Sequence, residues 1–243
     1  MNTLIVGGSS GLGRRLAEAC ARRGAHLLLV SSDVRDLQAV ASDLTLRFGS
    51  RCDILAADMG GGDAHLDRIA EMVRRAGPLT EMLFPIGQAS PLDAFGADPA
   101  EVARLAYVNY LSVVGVITRL EGRLDPRGAS IVGFGSIAQI RGRRSNIAYA
   151  AAKRALASYF ESLRHAFSGR SVAVQFYVVG YLDTGQSHGR RMLLPRADPD
   201  RFAKLIVRRL GRDFGVAYYP FYWRWIAWAL RLTPWSIFRR MDF

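Results

Sequence analysis

The sequence predicts an α/β fold: a doubly wound parallel sheet of about seven strands with helices on both faces. Three observations carry this. Short apolar runs alternate along the chain with longer amphipathic stretches. The run Leu27-Leu28-Leu29-Val30 is apolar at every position, as a strand covered on both sides requires. A glycine-rich turn follows the first strand directly.

In order, strands are expected at 3–6, 26–30, 53–56, 81–86, 130–134, 172–178 and 215–219. Helices are expected near 12–23, 34–48, 65–76, 100–121, 147–167 and 199–210. Strands separated by helical crossovers of this length pair in parallel. With no repeat or linker visible, residues 1–243 read as a single domain, of which 220–243 form an amphipathic C-terminal extension.

Half of the residues are apolar, enough for a sizeable core without staples. Cys20 and Cys52 belong to no ligand-spaced cluster, so neither a disulfide framework nor a metal site is expected, and a reduced cytoplasmic setting fits. Nothing at the N-terminus resembles a signal peptide, and no segment reaches the roughly 18 uncharged apolar residues of a spanning helix. The net charge of +12 is almost all arginine, since Lys153 and Lys204 are the only lysines. Coding bias explains that as well as attraction to phosphates or an anionic membrane does. No nucleic-acid-binding motif accompanies the charge.

The first turn reads Ile5-Val6-Gly7-Gly8-Ser9-Ser10-Gly11-Leu12-Gly13. Glycines at 7, 11 and 13 permit a tight turn and let main chain approach a pyrophosphate at a helix N-terminus, as in Rossmann-like folds. The adenosine-reading position, about 20 residues on, reads Ser31-Ser32-Asp33. Neither a carboxylate nor an arginine stands first there, which leaves NADH and NADPH both open. Asp58, after the third strand, fits an acceptor for the adenine amine and fits a turn or helix-cap aspartate equally.

Tyr149 and Lys153 lie one helical turn apart on one face. An ammonium there is expected to lower the phenol pKa, suiting it to give a proton to a nascent alkoxide. Ser136 lies thirteen residues before Tyr149, past an apolar strand, where a hydroxyl can hold a carbonyl. Asn109 is a poor helix former amid apolar neighbours, which suggests a local role.

The glycine turn, Asp58, Asn109, Ser136, Tyr149 and Lys153 together resemble the short-chain dehydrogenase/reductase family over nearly the whole chain. The resemblance implies an oxidoreductase in which Tyr149 is the acid/base and Ser136 its partner at the carbonyl. Lys153 would tune the tyrosine and hold the nicotinamide ribose, and Asn109 would anchor a relay water. The dinucleotide would run along Gly7, Ser9, Ser10, Gly11, Leu12 and Gly13, past Ser31, Ser32, Asp58, Met59 and Gly87, to Tyr149, Lys153, Leu182 and Thr184. No metal is needed, because hydride passes between cofactor and substrate. The family's Asn-Asn-Ala-Gly is replaced by Phe84-Pro85-Ile86-Gly87, and its Pro-Gly by Val179-Gly180.

Two segments bear on the substrate. Residues 214–243 hold Tyr218, Tyr219, Phe221, Tyr222, Trp223, Trp225, Trp228, Trp235 and Phe238 with Arg224, Arg231, Arg239 and Arg240, and Pro220 and Pro234 bracket a helix within them. Aromatics interleaved with arginines suit an interfacial helix, or else a segment packed on its own domain or a subunit. Arg141, Arg143 and Arg144 precede Tyr149 and form either a solvated loop or a phosphate site.

The stretches Asn109-Tyr110, Arg143-Arg144-Ser145-Asn146-Ile147-Ala148-Tyr149 and Ser236-Ile237-Phe238-Arg239-Arg240 are similar to one branch of the family, the decaprenylphosphoryl-2-keto-ribose reductases. That branch implies a lipid-linked keto-sugar phosphate, a flavin-dependent oxidase as partner enzyme, NADH, and a peripheral place on the inner membrane face. A homo-oligomer is also expected. Two other readings compete. One is a reductase of another hydrophobic ketone (3-ketoacyl, 3-ketosphinganine or steroid), and the other is a non-catalytic nucleotide sensor.

Overall fold

A computed structural model describes residues 1–9, 11–183 and 194–241. Strands β1 (Asn2–Val6), β2 (His26–Ser31), β3 (Cys52–Ala56), β4 (Glu81–Phe84), β5 (Ala129–Ser136), β6 (Val172–Val179) and β7 (Gly215–Tyr219) form one parallel sheet. Their spatial order is β3-β2-β1-β4-β5-β6-β7. The connections run outward in opposite directions from β1 and β4, so a crevice opens beyond the carboxyl ends of those strands.

The strands' side chains divide between two cores. Ile5, Leu27 and Leu29 point to the layer of α1 (Gly11–Ala21), α2 (Val34–Phe48) and α7 (Pro199–Arg209), where they meet Leu16, Leu37 and Phe202. Leu4, Leu28 and Val30 point to the opposite layer and meet Ile69 of α3 (Leu66–Ala76), Val113 of α5 (Ser112–Leu120) and Phe160 of α6 (Ile147–Ala166). Leu27, Leu28, Leu29 and Val30 are all fully buried, each worth roughly 1.5–3 kcal/mol. That two-sided burial is why the run shows no alternation.

Three expected elements are altered in instructive ways. The fourth strand stops at Phe84 because Pro85 has no N–H for the ladder. The fifth continues two residues further, to Ser136, because β6 pairs with it as far as Ser136–Val179. The long helix expected at 100–121 is α4 (Pro99–Ala106) and α5 joined by a π-helical turn, Tyr107–Leu111. The Asn109 amide donates to Leu105 O at 2.9 Å, offering that carbonyl a side-chain partner within the widened turn. By length and composition alone Pro99–Arg123 could cross a membrane, but its Leu105, Val113, Val116, Ile117 and Leu120 are buried in the fold.

The C-terminal extension forms α8 (Trp223–Leu232) and α9 (Trp235–Phe238). One edge of α8 docks through buried Trp223 and Ala227. Gly180 makes that docking possible, since a Cβ there would lie 1.9 Å from the Trp223 indole nitrogen. The other side exposes Trp225, Trp228 and Leu232 together with Arg224 and Arg231. One edge of the helix therefore packs on its own domain, and the other leaves interleaved aromatics and arginines exposed.

Candidate active site

A cleft of about 940 Å³ lies over the carboxyl ends of the strands. Its first wall is the β1–α1 turn. Gly7 has φ +95° and Gly11 φ +51°, conformations that suit glycine. A Cβ at Gly13 would lie 1.8 Å from Gly7 O, so α1 can begin this close to β1 only with glycine there. Main chain therefore forms the floor, open to a bulky anionic group at the start of α1. This cradle fits a dinucleotide pyrophosphate.

Gly7, Gly11, Leu12, Ser31, Ser32, Asp58, Met59, Gly87 and Leu182 all line the cleft. Ser9 lies beneath this lining, its hydroxyl 2.8 Å from that of Ser31. Ser10 and Thr184 fall outside the described residues. Asp33 caps α2, accepting from the Arg35 and Asp36 N–H groups at 2.8 and 3.2 Å. Asp58 accepts from Gly60 N–H at 2.9 Å and pairs with Arg104 at 3.6 Å. It is a turn aspartate that also faces the cleft.

Ser136, Tyr149 and Lys153 meet at the far end of the cleft. Ser136 ends β5 and caps the 3₁₀ turn Ile137–Ile140. Its Oγ accepts from Ala138 N–H at 3.2 Å, while its own N–H donates to Gln139 Oε1 at 3.0 Å. Lys153 is buried, and its ammonium donates to Ile86 O at 3.0 Å and Phe134 O at 3.1 Å. Asn109 is fully buried; its amide donates to Gln88 O at 2.7 Å as well as to Leu105 O, and its oxygen accepts from Gln88 N–H at 3.1 Å. A Cβ at Gly87 would lie 3.2 Å from Lys153 Nζ and 3.4 Å from Asn109 Oδ1, so both groups close on that glycine.

The electrostatics correct one expectation. Burial pushes the Tyr149 phenol above its ordinary value; the opposing influences are a hydrogen bond from Ser136 and the charge of Arg143. Lys153 sits 6.0 Å from the centre of the Tyr149 ring, with its ammonium turned toward the two carbonyls. Desolvation lowers its own pKa to about 7. In this state the downward pull on the tyrosine therefore comes from Ser136 and Arg143.

The profile of the short chain dehydrogenase family matches residues 1–192. The chain belongs to that family. It is an NAD(P)H-dependent oxidoreductase. A hydroxysteroid 11-beta-dehydrogenase 1-like protein of Xenopus laevis is 28% identical over 226 residues, 90% of this chain and 77% of that protein. An uncharacterized oxidoreductase of Mycobacterium tuberculosis is 27% identical over 241 residues, 98% of this chain and 96% of that one. The crystal structure of L-sorbose reductase from Gluconobacter frateurii, complexed with NADPH and L-sorbose, shares the fold at a TM-score of 0.81. It is 22% identical and the match covers 89% of this chain and 93% of that one.

The arginine cluster of this short-chain dehydrogenase does not act as one group. Arg141 is not placed to meet a substrate phosphate. Its guanidinium donates to Leu230 O at 2.8 Å and to Thr233 O, the free carbonyls at the end of α8, and stacks 4.1 Å over the Phe238 ring. Arg143 lines the cleft, and Arg144 is exposed outside it.

One residue escapes sequence reasoning altogether. Asp93 is buried, and its carboxylate accepts from Ala148 N–H at 2.8 Å and Tyr149 N–H at 2.9 Å. Asn146, at the N-cap of α6, has φ 57° and makes no side-chain cap. Asp93 thus caps the helix that carries Tyr149 and Lys153 from 55 residues away. No local pattern announces a cap supplied at that distance.

Proposed function

We propose that this dehydrogenase reduces a ketone to a secondary alcohol with Tyr149 as proton donor, and that the ketone is the 2-keto group of a polyprenyl-phosphoryl pentose, giving the arabinose epimer. The single observation carrying this is the convergence of Ser136, Tyr149, Lys153 and Arg143 on one cleft. Bound NADH or NADPH supplies the hydride; NADH is what the resemblance implies. The Ser136 hydroxyl, oriented by Ala138 N–H, holds the carbonyl oxygen. The Tyr149 phenol, protonated at neutral pH like any ordinary phenol, gives its proton to that oxygen as alkoxide character develops. Arg143 steadies the phenolate left behind. Lys153, in the cleft lining, would hold the nicotinamide ribose. Both Asn109 amide protons are already engaged, so a relay water at this point would have to be held by groups other than that NH2.

Three features support the lipid phosphate: the resemblance at residues 143–149, the guanidinium of Arg143 beside Tyr149, and the exposed aromatic-arginine side of α8. That side fits an anionic membrane surface, where such a lipid resides. The ketone would be supplied by a flavin-dependent oxidase acting on the corresponding alcohol. The similarity to the hydroxysteroid dehydrogenase-like protein favours a second reading, reduction of a greasy ketone that carries no phosphate.

Tyr149→Phe is expected to lower kcat for ketone reduction by about 10²–10⁴-fold, the usual worth of a positioned acid. Dinucleotide binding, followed by nicotinamide fluorescence with both NADH and NADPH, should persist. A variant that turns over normally would sink the role of Tyr149. Wild type acting on a simple hydrophobic ketone and not on the phosphoryl keto-pentose would select the second reading.

A further inference from the structure

A second cavity, of about 750 Å³, opens between residues 141–147 and α9. Arg143, Arg144 and Arg239 contribute to its wall, and Trp235, Phe238 and Met241 give it an apolar side. Among the described residues no carboxylate lines it. Arg141 builds this wall rather than serving it, because its cap on α8 and its stacking on Phe238 hold the C-terminal arm against the loop. Arg143 lines both this cavity and the catalytic cleft. The two spaces therefore adjoin at a guanidinium whose charge reaches Tyr149.

A cavity with a cationic rim, an aromatic wall and a charged junction to the reaction centre matches an amphipathic anion. A guanidinium fork binds phosphate oxygens in pairs, while tryptophan and phenylalanine faces take an extended apolar chain. We propose that this cavity holds the apolar chain of a lipid phosphate, with the phosphate at Arg143, where the cavity meets the cleft, within reach of the charges of Arg144 and Arg239. The proposal rests on the reading that the substrate carries its phosphate near the ketone, and adds where the rest of the molecule lies. It also assigns Trp235, which is 67% exposed, a function its packing does not demand.

The test is direct binding of three probes to the full-length protein by calorimetry: farnesyl phosphate, farnesol and inorganic phosphate. Farnesyl phosphate should bind at least about tenfold more tightly than either fragment. Trp235→Ala should weaken it by about tenfold and leave inorganic phosphate unchanged. Trp235→Phe should restore most of the loss, which separates chain binding from a folding defect. Arg144→Ala with Arg239→Ala should weaken farnesyl phosphate and leave farnesol unchanged. Equal affinity for farnesol and farnesyl phosphate would overturn the cationic role, and equal affinity for inorganic phosphate would overturn the apolar one. If farnesyl phosphate binds but is indifferent to Trp235, Arg144 and Arg239, the cavity assignment falls while the phosphate-bearing substrate stands. If it does not bind to protein that still reduces simple ketones, both fall and the chemistry of Tyr149 survives.

Discussion

The two ends of this molecule's working surface are built from different materials. The cleft over β1, β4 and β5 is made of main chain and buried groups, with Gly13 against Gly7, Lys153 on two carbonyls, and Asn109 tied to Gln88 and Leu105. The C-terminal arm exposes Trp225 and Trp228 on α8, which is docked by one edge, and Trp235 at the start of α9. Close packing leaves the cleft little freedom, since each group there is over-determined by several elements. The arm carries chemical character, aromatic and cationic, without comparable constraint. On the function proposed above, reaction type would be held by the buried end and substrate choice by the exposed one.

The sharpest way to break the comparison is at Gly13. A methyl added there would sit 1.8 Å from a main-chain oxygen, which no rotamer change relieves. Gly13→Ala should destabilise the protein by about 3 kcal/mol, the upper end of ordinary overpacking. For a chain of this size that is a fall in melting temperature of roughly 6–12 °C, with loss of dinucleotide binding. A normal melting temperature would show that the β1–α1 turn is not the tight element described.

The same contrast explains what could be read in advance. The strands were legible because two-sided burial leaves uninterrupted apolar runs such as Leu27–Val30, and Gly7, Gly11 and Gly13 because close main-chain approach tolerates little else. Ser136, Tyr149 and Lys153 were legible through spacing along the chain, and they line one cleft; Asn109, conspicuous as a poor helix former, lies behind that lining, beside Gly87. The cap from Asp93 was not, because it bridges 55 residues and leaves no local pattern. Nor was the separation of Arg141 from Arg143. Arginines two residues apart look alike in sequence, and only the end of α8 at Thr233 distinguishes one as a structural donor. The upward shift of the tyrosine was equally hidden, since burial is a property of the assembled cleft.

A titration makes the rigid end measurable. The folded Lys153 pKa is about 7 against an ordinary 10.5, so between those pH values the unfolded chain binds the extra proton. Stability must then rise with pH in that window, by at most about 1.4 kcal/mol per pH unit. Hydrogen bonds to Ile86 O and Phe134 O favour the ammonium and make the true slope smaller. Relative to Lys153→Met, wild type without dinucleotide should therefore gain stability from pH 7 to pH 9 in urea titrations. A difference that stays flat would mean that the ammonium is not desolvated.

The adaptable end should respond in the opposite way. Trp225 and Trp228 are 59% and 62% exposed on the face of α8 away from Trp223. Replacing both with serine removes little buried area, so stability should change by no more than about 0.5 kcal/mol, and turnover of a soluble ketone should not change. If this face meets lipid, as proposed, binding to vesicles of phosphatidylglycerol should fall several-fold with loss of the interfacial indole rings. Arg224 and Arg231 remain on that face, so the residual binding should be the part that raised salt removes. Neutral phosphatidylcholine vesicles separate the contributions, since they keep the aromatic one and lose the ionic one. Unchanged vesicle binding, or a large fall in melting temperature, would mean that the face is covered by protein rather than lipid. The arm would then be a packing element like the rest of the fold, and the contrast between the two ends would disappear.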